Sequence, residues 1–163
     1  ETPKCVLNLG KILEECSNIT GIVVGTNDLA KELVLPGQET RVGLSYALGS
    51  IVLTAKAYNV ITLDGVFNSI SDQEGLLAEA REGKNLGYDG KTLIHPNQID
   101  ITNTEFSPTQ EEIDLANKII EAYEKAKEEK SGVTTVDGVL VEELHVNQSL
   151  ALINKMRLIQ SMS

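Results

Sequence analysis

Apolar residues along the chain fall into short runs that alternate with longer stretches of helical spacing. Over residues 4–16 the apolar positions Cys5, Leu7, Leu9, Ile12, Leu13 and Cys16 keep mainly helical spacing, and Pro3 suits a first turn. The β-branched run Ile19-Thr20-Gly21-Ile22-Val23-Val24 predicts a buried strand, followed by a polar loop at Gly25-Thr26-Asn27-Asp28. Residues 40–58 predict a helix with Val42, Leu44, Ala47, Leu48, Ile51, Val52 and Ala55 on one broad face. A second strand over 59–63 ends in Asp64. A third helix over about 72–85 has Asp72 as N-cap and turns Leu76, Leu77 and Ala80 inward. A third strand over 90–94 ends at His95-Pro96, and a helix from about Asn97 leads to a turn near Phe106-Ser107-Pro108.

After Pro108 the character changes. A long charged helix over 109–130 is followed by Ser131-Gly132-Val133. A β-like segment over 134–141 then carries Asp137-Gly138 as its turn, and a final helix covers 143–161. The chain therefore divides into an α/β part, 1–107, and a mainly helical extension, 108–163. Strands alternating with helices predict a parallel sheet. Three β/α units do not close a barrel of about 250 residues, and an open half leaves sheet edges unpaired. The pattern fits a small open α/β domain or part of a larger barrel. The start at Glu1-Thr2-Pro3-Lys4, without an initiator Met, points to the second.

Composition narrows the function. With 41% hydrophobic and 23% charged residues in 163, the chain has the balance of a soluble globular protein. No apolar run approaches the roughly 20 residues that span a bilayer. A formal charge of −10 argues against a nucleic-acid partner. The two cysteines, Cys5 and Cys16, lack C-x-x-C spacing. They read as buried or half-buried helix residues in a reducing compartment, not as nucleophiles. No G-x-S-x-G, H-E-x-x-H, Walker or G-x-G-x-x-G motif is present.

In parallel β/α folds chemistry collects at the carboxyl ends of strands. Those ends here carry Asn27-Asp28, Asp64 and His95-Pro96, and Glu1 has the place of a residue closing a further strand. Two hard carboxylates on neighbouring strand ends suit Mg²⁺, which takes oxygen ligands and keeps waters that substrate can displace. An Asp at such a boundary serves equally well as an Asx turn or a helix cap.

Longer motifs add to this. Ile22-Val23-Val24-Gly25-Thr26-Asn27-Asp28-Leu29, the stretch from Gly87 through Lys91 to Ile94-His95-Pro96-Asn97-Gln98-Ile99, and Phe106-Ser107-Pro108 before an acidic helix resemble the citrate lyase beta-subunit-like family, within the HpcH/HpaI aldolases. That family includes malyl-CoA, citramalyl-CoA and citryl lyases.

The resemblance spans essentially the whole chain. It implies the second half of a TIM (β/α)8 barrel with a C-terminal extension, assembled as trimers or multiples of trimers, with an N-terminal half outside this sequence. It implies Glu1 and Asp28 as Mg²⁺ ligands and a CoA thioester as substrate; Asn27, Asp64, His95 and Pro96, by their places at the strand ends, are the candidate contacts. It implies a carbon–carbon lyase that releases acetyl-CoA and a 2-oxo acid, in the cytoplasm or the mitochondrial matrix. A citrate lyase beta subunit, or a silent binding or assembly subunit, is the alternative. The family's acidic residue that reaches a neighbouring subunit's site maps to Glu142, where Asp is usual, and the following Pro is absent. Leu48 stands where relatives often have Arg.

Overall fold

The computed structural model describes residues 1–37, 41–129 and 133–162. The first residue of the helix expected from 40, and the Lys130 end and Ser131-Gly132 link expected after the charged helix, lie outside these. Two compact units form, Glu1–Phe106 and Ser107–Ser163.

In the first unit Thr2 caps α1 (Pro3–Leu7) by accepting the Cys5 N–H. The single helix expected over 4–16 breaks at Asn8, whose side-chain amide donates to the Lys4 carbonyl at 2.7 Å and competes with the helical ladder. The chain resumes as α2 (Leu9–Glu15), burying Leu9 and Leu13. Cys5 and Cys16 are both exposed, contrary to expectation: Cys5 lies on the short α1, which buries nothing, and Cys16 is the non-helical cap beyond the last turn of α2.

Strands β1 (Gly21–Val23), β2 (Ile61–Asp64) and β3 (Gly90–Lys91) form a parallel sheet in that order. Ile22 pairs with Thr62, and Asp64 with Lys91. All three strands are shorter than predicted, and β1 is not the buried strand expected: Gly21 and Val23 are exposed and Ile22 is half-buried, because only one face of the sheet is covered. Burial alternates along them: Val24, Thr62 and Asp64 are buried, whereas Val23 and Ile61 are 59% and 55% exposed. The helices cover one face. Helix α4 (Ser45–Ala57), entered through a 3₁₀ turn at Val42–Leu44, buries Ala47, Leu48, Ile51, Val52 and Ala55. Val42 falls on that turn and is exposed, not inward as predicted. Leu48 is fully buried, so the position is a core position in this chain. Helix α5 (Gln73–Leu86) is capped by Asp72 and buries Leu76 and Ala80, with Leu77 outward. A 3₁₀ turn at Pro96–Gln98 opens α6 (Ile99–Phe106).

The stretch after β1 is not the expected polar loop. Helix α3 (Thr26–Glu32) starts directly behind Gly25, anchored by Leu29 at 1% exposure. Helices α3, α4 and α5 end alike. A residue at positive φ (Val34, Asn59, Gly87) donates its N–H to the carbonyl three back, and the next residue donates to the one five back. This is the Schellman closure. It turns Leu35, Val60 and Tyr88 into the core.

The second unit pairs α7 (Gln110–Glu128), held by a Thr109–Glu112 capping box, with α8 (Glu143–Met162). Between them β4 (Thr134–Val136) and β5 (Val139–Val141) form a hairpin. Asp137 and Gly138, at φ 50° and 81°, supply the two left-handed positions of its turn. Among the described residues no helix is long and apolar enough to cross a membrane.

Val34 is β-branched at φ 56° and 85% exposed, so it carries left-handed strain without packing in return. Val34→Gly is expected to stabilise the protein by about 0.5–1 kcal/mol, after the larger chain entropy of glycine is offset. A thermal melt should show a midpoint about 2 °C higher; an unchanged or lower midpoint contradicts the strain.

Candidate functional site

Asp64 ends β2 and points into the helix-covered side with no exposed surface. Arg41 grips it with both terminal nitrogens, Nη1 to Oδ2 at 2.8 Å and Nη2 to Oδ1 at 2.9 Å. The Gly65 N–H donates to Oδ1 at 2.8 Å, and Lys91 Nζ to Oδ2 at 3.3 Å. Lys91 also donates to the Gly65 carbonyl and to Glu79 Oε1, both at 2.6 Å. Its three N–H donors therefore have three acceptors, which holds it as a cross-link and not a free amine. On α5, Gly83 leaves the room: a Cβ there would stand 2.8 Å from Asp64 Oδ2.

Burial opposes the charge on Arg41, but hydrogen bonds and fields from Asp64, Glu79 and Glu82 outweigh it and raise its pKa. Burial also pushes the Tyr88 phenol up, and the Asp64 charge adds to it. Asp64, expected to meet substrate, is thus spent inside the protein. The reason is non-local: its partners lie 23 residues before and 27 after it.

The His95-Pro96-Asn97-Gln98 stretch works on a neighbouring loop. His95 caps the 3₁₀ turn, its Nδ1 accepting from the Asn97 N–H at 3.2 Å. Asn97 Nδ2 donates to the Ile70 carbonyl, and Gln98 Nε2 to the Phe67 carbonyl, each at 3.0 Å. The loop after β2 is pinned from that side. From the other side Asn27 and Asn68 exchange two side-chain amide bonds at 3.0 and 2.7 Å. A cavity of about 120 Å³ opens beside that pair, lined by Thr26, Arg41, Phe67 and Glu79 among others. Among the candidates for substrate contact, Asn27 therefore reaches a cavity, whereas His95 and Pro96 stand exposed at the 3₁₀ turn.

Glu1 and Asp28 are treated differently by the fold. Both are exposed, and among the described residues neither carboxylate makes a hydrogen bond or an ion pair. The Glu1 side chain lies over Gly25, at the end of β1, and Asp28 sits in the first turn of α3, which Gly25 opens. No group of three or more His, Cys, Asp or Glu that could hold a metal forms among the described residues. Two uncommitted hard carboxylates at one strand end fit Mg²⁺, which needs few protein ligands and completes its shell with water and substrate oxygens. Glu142 lies in the second unit, exposed between β5 and α8, its N–H donating to His145 Nδ1 at 3.0 Å.

Nothing in the sequence pattern marks Arg41, Glu79 or Asn68 as parts of this network. A lone Asp closing an apolar strand signals that some cation must meet it, but not which one.

The sequence profile of the HpcH/HpaI aldolase/citrate lyase family matches residues 1–96, and the chain belongs to that family. A (3S)-malyl-CoA thioesterase of Cereibacter sphaeroides is 46% identical over 146 residues, 90% of this chain and 51% of the relative. A citrate lyase subunit beta of Haemophilus influenzae is 32% identical, over 87% of this chain and 49% of the relative. The chain spans about half the length of the curated relatives it matches. A crystal structure of the protein CitE from Mycobacterium tuberculosis in complex with magnesium and pyruvate superposes with a TM-score of 0.61 at 29% identity, covering 68% of this chain and 48% of that one.

Removing the guanidinium leaves the fully buried Asp64 short of its main partner. Arg41→Met is expected to cost about 3–5 kcal/mol of stability. Glu82→Gln, whose carboxylate is 43% exposed and 3.9 Å from Arg41, should cost under about 1 kcal/mol. Denaturant unfolding of both variants checks the ranking, and equal losses contradict it.

Proposed function

We propose that this chain supplies the metal-holding part of a Mg²⁺-dependent carbon–carbon lyase acting on a 3-hydroxyacyl-CoA thioester of citramalyl-CoA or malyl-CoA type. The observation that carries this reading is the uncommitted Glu1 carboxylate lying over Gly25, at the head of the helix that holds Asp28. The magnesium and pyruvate in the CitE structure, and the malyl-CoA in the name of the thioesterase relative, support the metal and the substrate class.

In this reading residues 1–107 are the second half of a (β/α)8 barrel, whose remaining strands would cover Val23 and Ile61. Residues 108–163 extend to a neighbouring subunit of a trimer or multiple of trimers.

Bound there, Mg²⁺ would supply Lewis-acid polarisation of the substrate's carboxylate and adjacent oxygen. Glu1 and Asp28 hold and orient that centre at the strand end. As the hydroxyl gives up its proton to solvent water, the bond between the carbinol carbon and the thioester α-carbon breaks. A 2-oxo acid leaves, and the electron pair stays on the α-carbon as a thioester enolate. Glu142, reaching in from a neighbouring subunit, delivers the proton that completes acetyl-CoA. Asn27 borders the cavity where part of the substrate can lie, and His95 and Pro96, exposed at the 3₁₀ turn, are further candidate contacts.

The 46% identical relative favours a second reading, hydrolysis of the same thioester to free acid and CoA. A citryl-carrier lyase subunit and a silent assembly subunit are the remaining forms of the proposal. Their motives are the citrate lyase relative for the first and the Glu142 and Leu48 departures for the second.

Full-length protein with Mg²⁺ and malyl-CoA or citramalyl-CoA is expected to release acetyl-CoA with glyoxylate or pyruvate. Asp28→Asn should lower kcat/KM by about a hundredfold or more. Malate or citramalate with free CoA instead would establish the hydrolase. No product from either thioester, with Mg²⁺ binding unaffected by Asp28→Asn, would sink both.

A further inference from the structure

Gly25 closes the run that carries β1 and opens α3. Its backbone, at φ −84° and ψ 80°, lies where residues with side chains also go, so conformation does not require glycine here. Space does. A Cβ on Gly25 would stand 2.8 Å from Glu1 Oε1 and 2.9 Å from Glu1 Cδ, and closer still to Glu1 Cγ. Real Cβ atoms essentially never come within 3.0 Å of another heavy atom. All three of the nearest atoms belong to Glu1, and none to the backbone or core.

Two other glycines near these strand ends make a contrast. A Cβ on Gly65 would collide with Thr26, which is 9% exposed, and one on Gly83 would press on the buried Asp64. Substitution at either damages packing. Glu1 is exposed and unpaired among the described residues, so it can swing aside at little cost to the fold. What such a swing changes is where its carboxylate sits relative to Asp28.

We propose that Gly25 is a positioning residue for the Glu1 carboxylate. Its missing Cβ leaves the seat that holds this acid over the end of β1, beside the first turn of α3. The inference rests on the reading of Glu1 and Asp28 as Mg²⁺ ligands, and adds that any side chain at position 25 turns one ligand away while the fold stays intact. The effect therefore appears in metal affinity and not in stability.

The test titrates Mg²⁺ alone, by calorimetry, into the full-length protein and its Gly25→Ala, Glu1→Ala, Asp28→Asn, Gly25→Ala/Glu1→Ala and Gly49→Ala variants. Thermal midpoints are recorded without metal. Gly25→Ala is expected to weaken Mg²⁺ binding about tenfold or more, with a metal-free midpoint within about 2 °C of the parent. It should add nothing in the Glu1→Ala background. Gly49→Ala, whose Cβ meets nothing within 4 Å, should bind like the parent.

Parent-like binding by Gly25→Ala, with Glu1→Ala and Asp28→Asn both weak, overturns the seat but leaves the metal reading standing. Parent-like binding by Glu1→Ala overturns the metal reading and the seat with it. A loss from Gly25→Ala that persists in full without Glu1, or a metal-free midpoint more than about 5 °C lower, shows that the Cβ meets something other than Glu1 and overturns the proposal.

Discussion

Asp64, Arg41, Lys91 and Glu79 share one enclosed space on the helix side of the sheet, with Asp64 and Lys91 wholly out of solvent. Such an assembly persists only if every charge is met. Meeting them ties β2 and β3 to α5 and to the segment leading into α4. It also fixes the end of β2, because the Asp64 carbonyl accepts from both the N–H and the hydroxyl of Thr92. The adjoining loop, which carries Val66 to Ile70, starts from that fixed point. Gln98 and Asn97 hold it from one flank and Asn27 from the other.

The cluster separates the acids of the strand ends into two kinds. Asp64 is held by Arg41 and Lys91 inside the protein. Glu1 and Asp28 keep their lone pairs available, one over a glycine and the other on the first turn of a helix. Charge that stabilises the scaffold and charge that can hold a metal are thus kept on different residues. The division also removes Lys91 from chemistry, since its amine is saturated with acceptors. Further along, Asp89 extends the same economy: partial burial pushes its carboxyl up, but hydrogen bonds from Lys56 and the Thr62 N–H, with the Lys56 charge, hold it below the usual range.

What the sequence made legible was whatever is decided locally. Asp72 and Thr109 announce helix starts, Asp137-Gly138 announces a primed turn, and the β-branched run before Gly25 announces a strand; all four are where expected. The run Gly25-Thr26-Asn27-Asp28 was misleading because its composition is that of a turn. Burial of Leu29 overrides that preference and starts a helix at once. Asp64 was unreadable for a different reason. Its partners are far along the chain, so nothing near it distinguishes a buried ion pair from a ligand. Cys5 is exposed because Asn8 ends its helix after one turn with nothing buried, and Cys16 because α2 stops at Glu15 and leaves it as the cap. Of the Schellman closures the one at Val34 was hidden, since Gly87 and Asn59 have residue types that signal one and a β-branched Val does not.

In the proposed function the metal goes to the exposed pair and leaves the buried cluster intact. Crystals of the full-length protein grown with Mn²⁺ in place of Mg²⁺ test this by anomalous scattering. The predicted result is one strong peak bound by the carboxylates of Glu1 and Asp28, with Asp64 still gripped by Arg41 and Lys91. A peak ligated by Asp64, or one placed elsewhere while Glu1 and Asp28 stay unliganded, would contradict it.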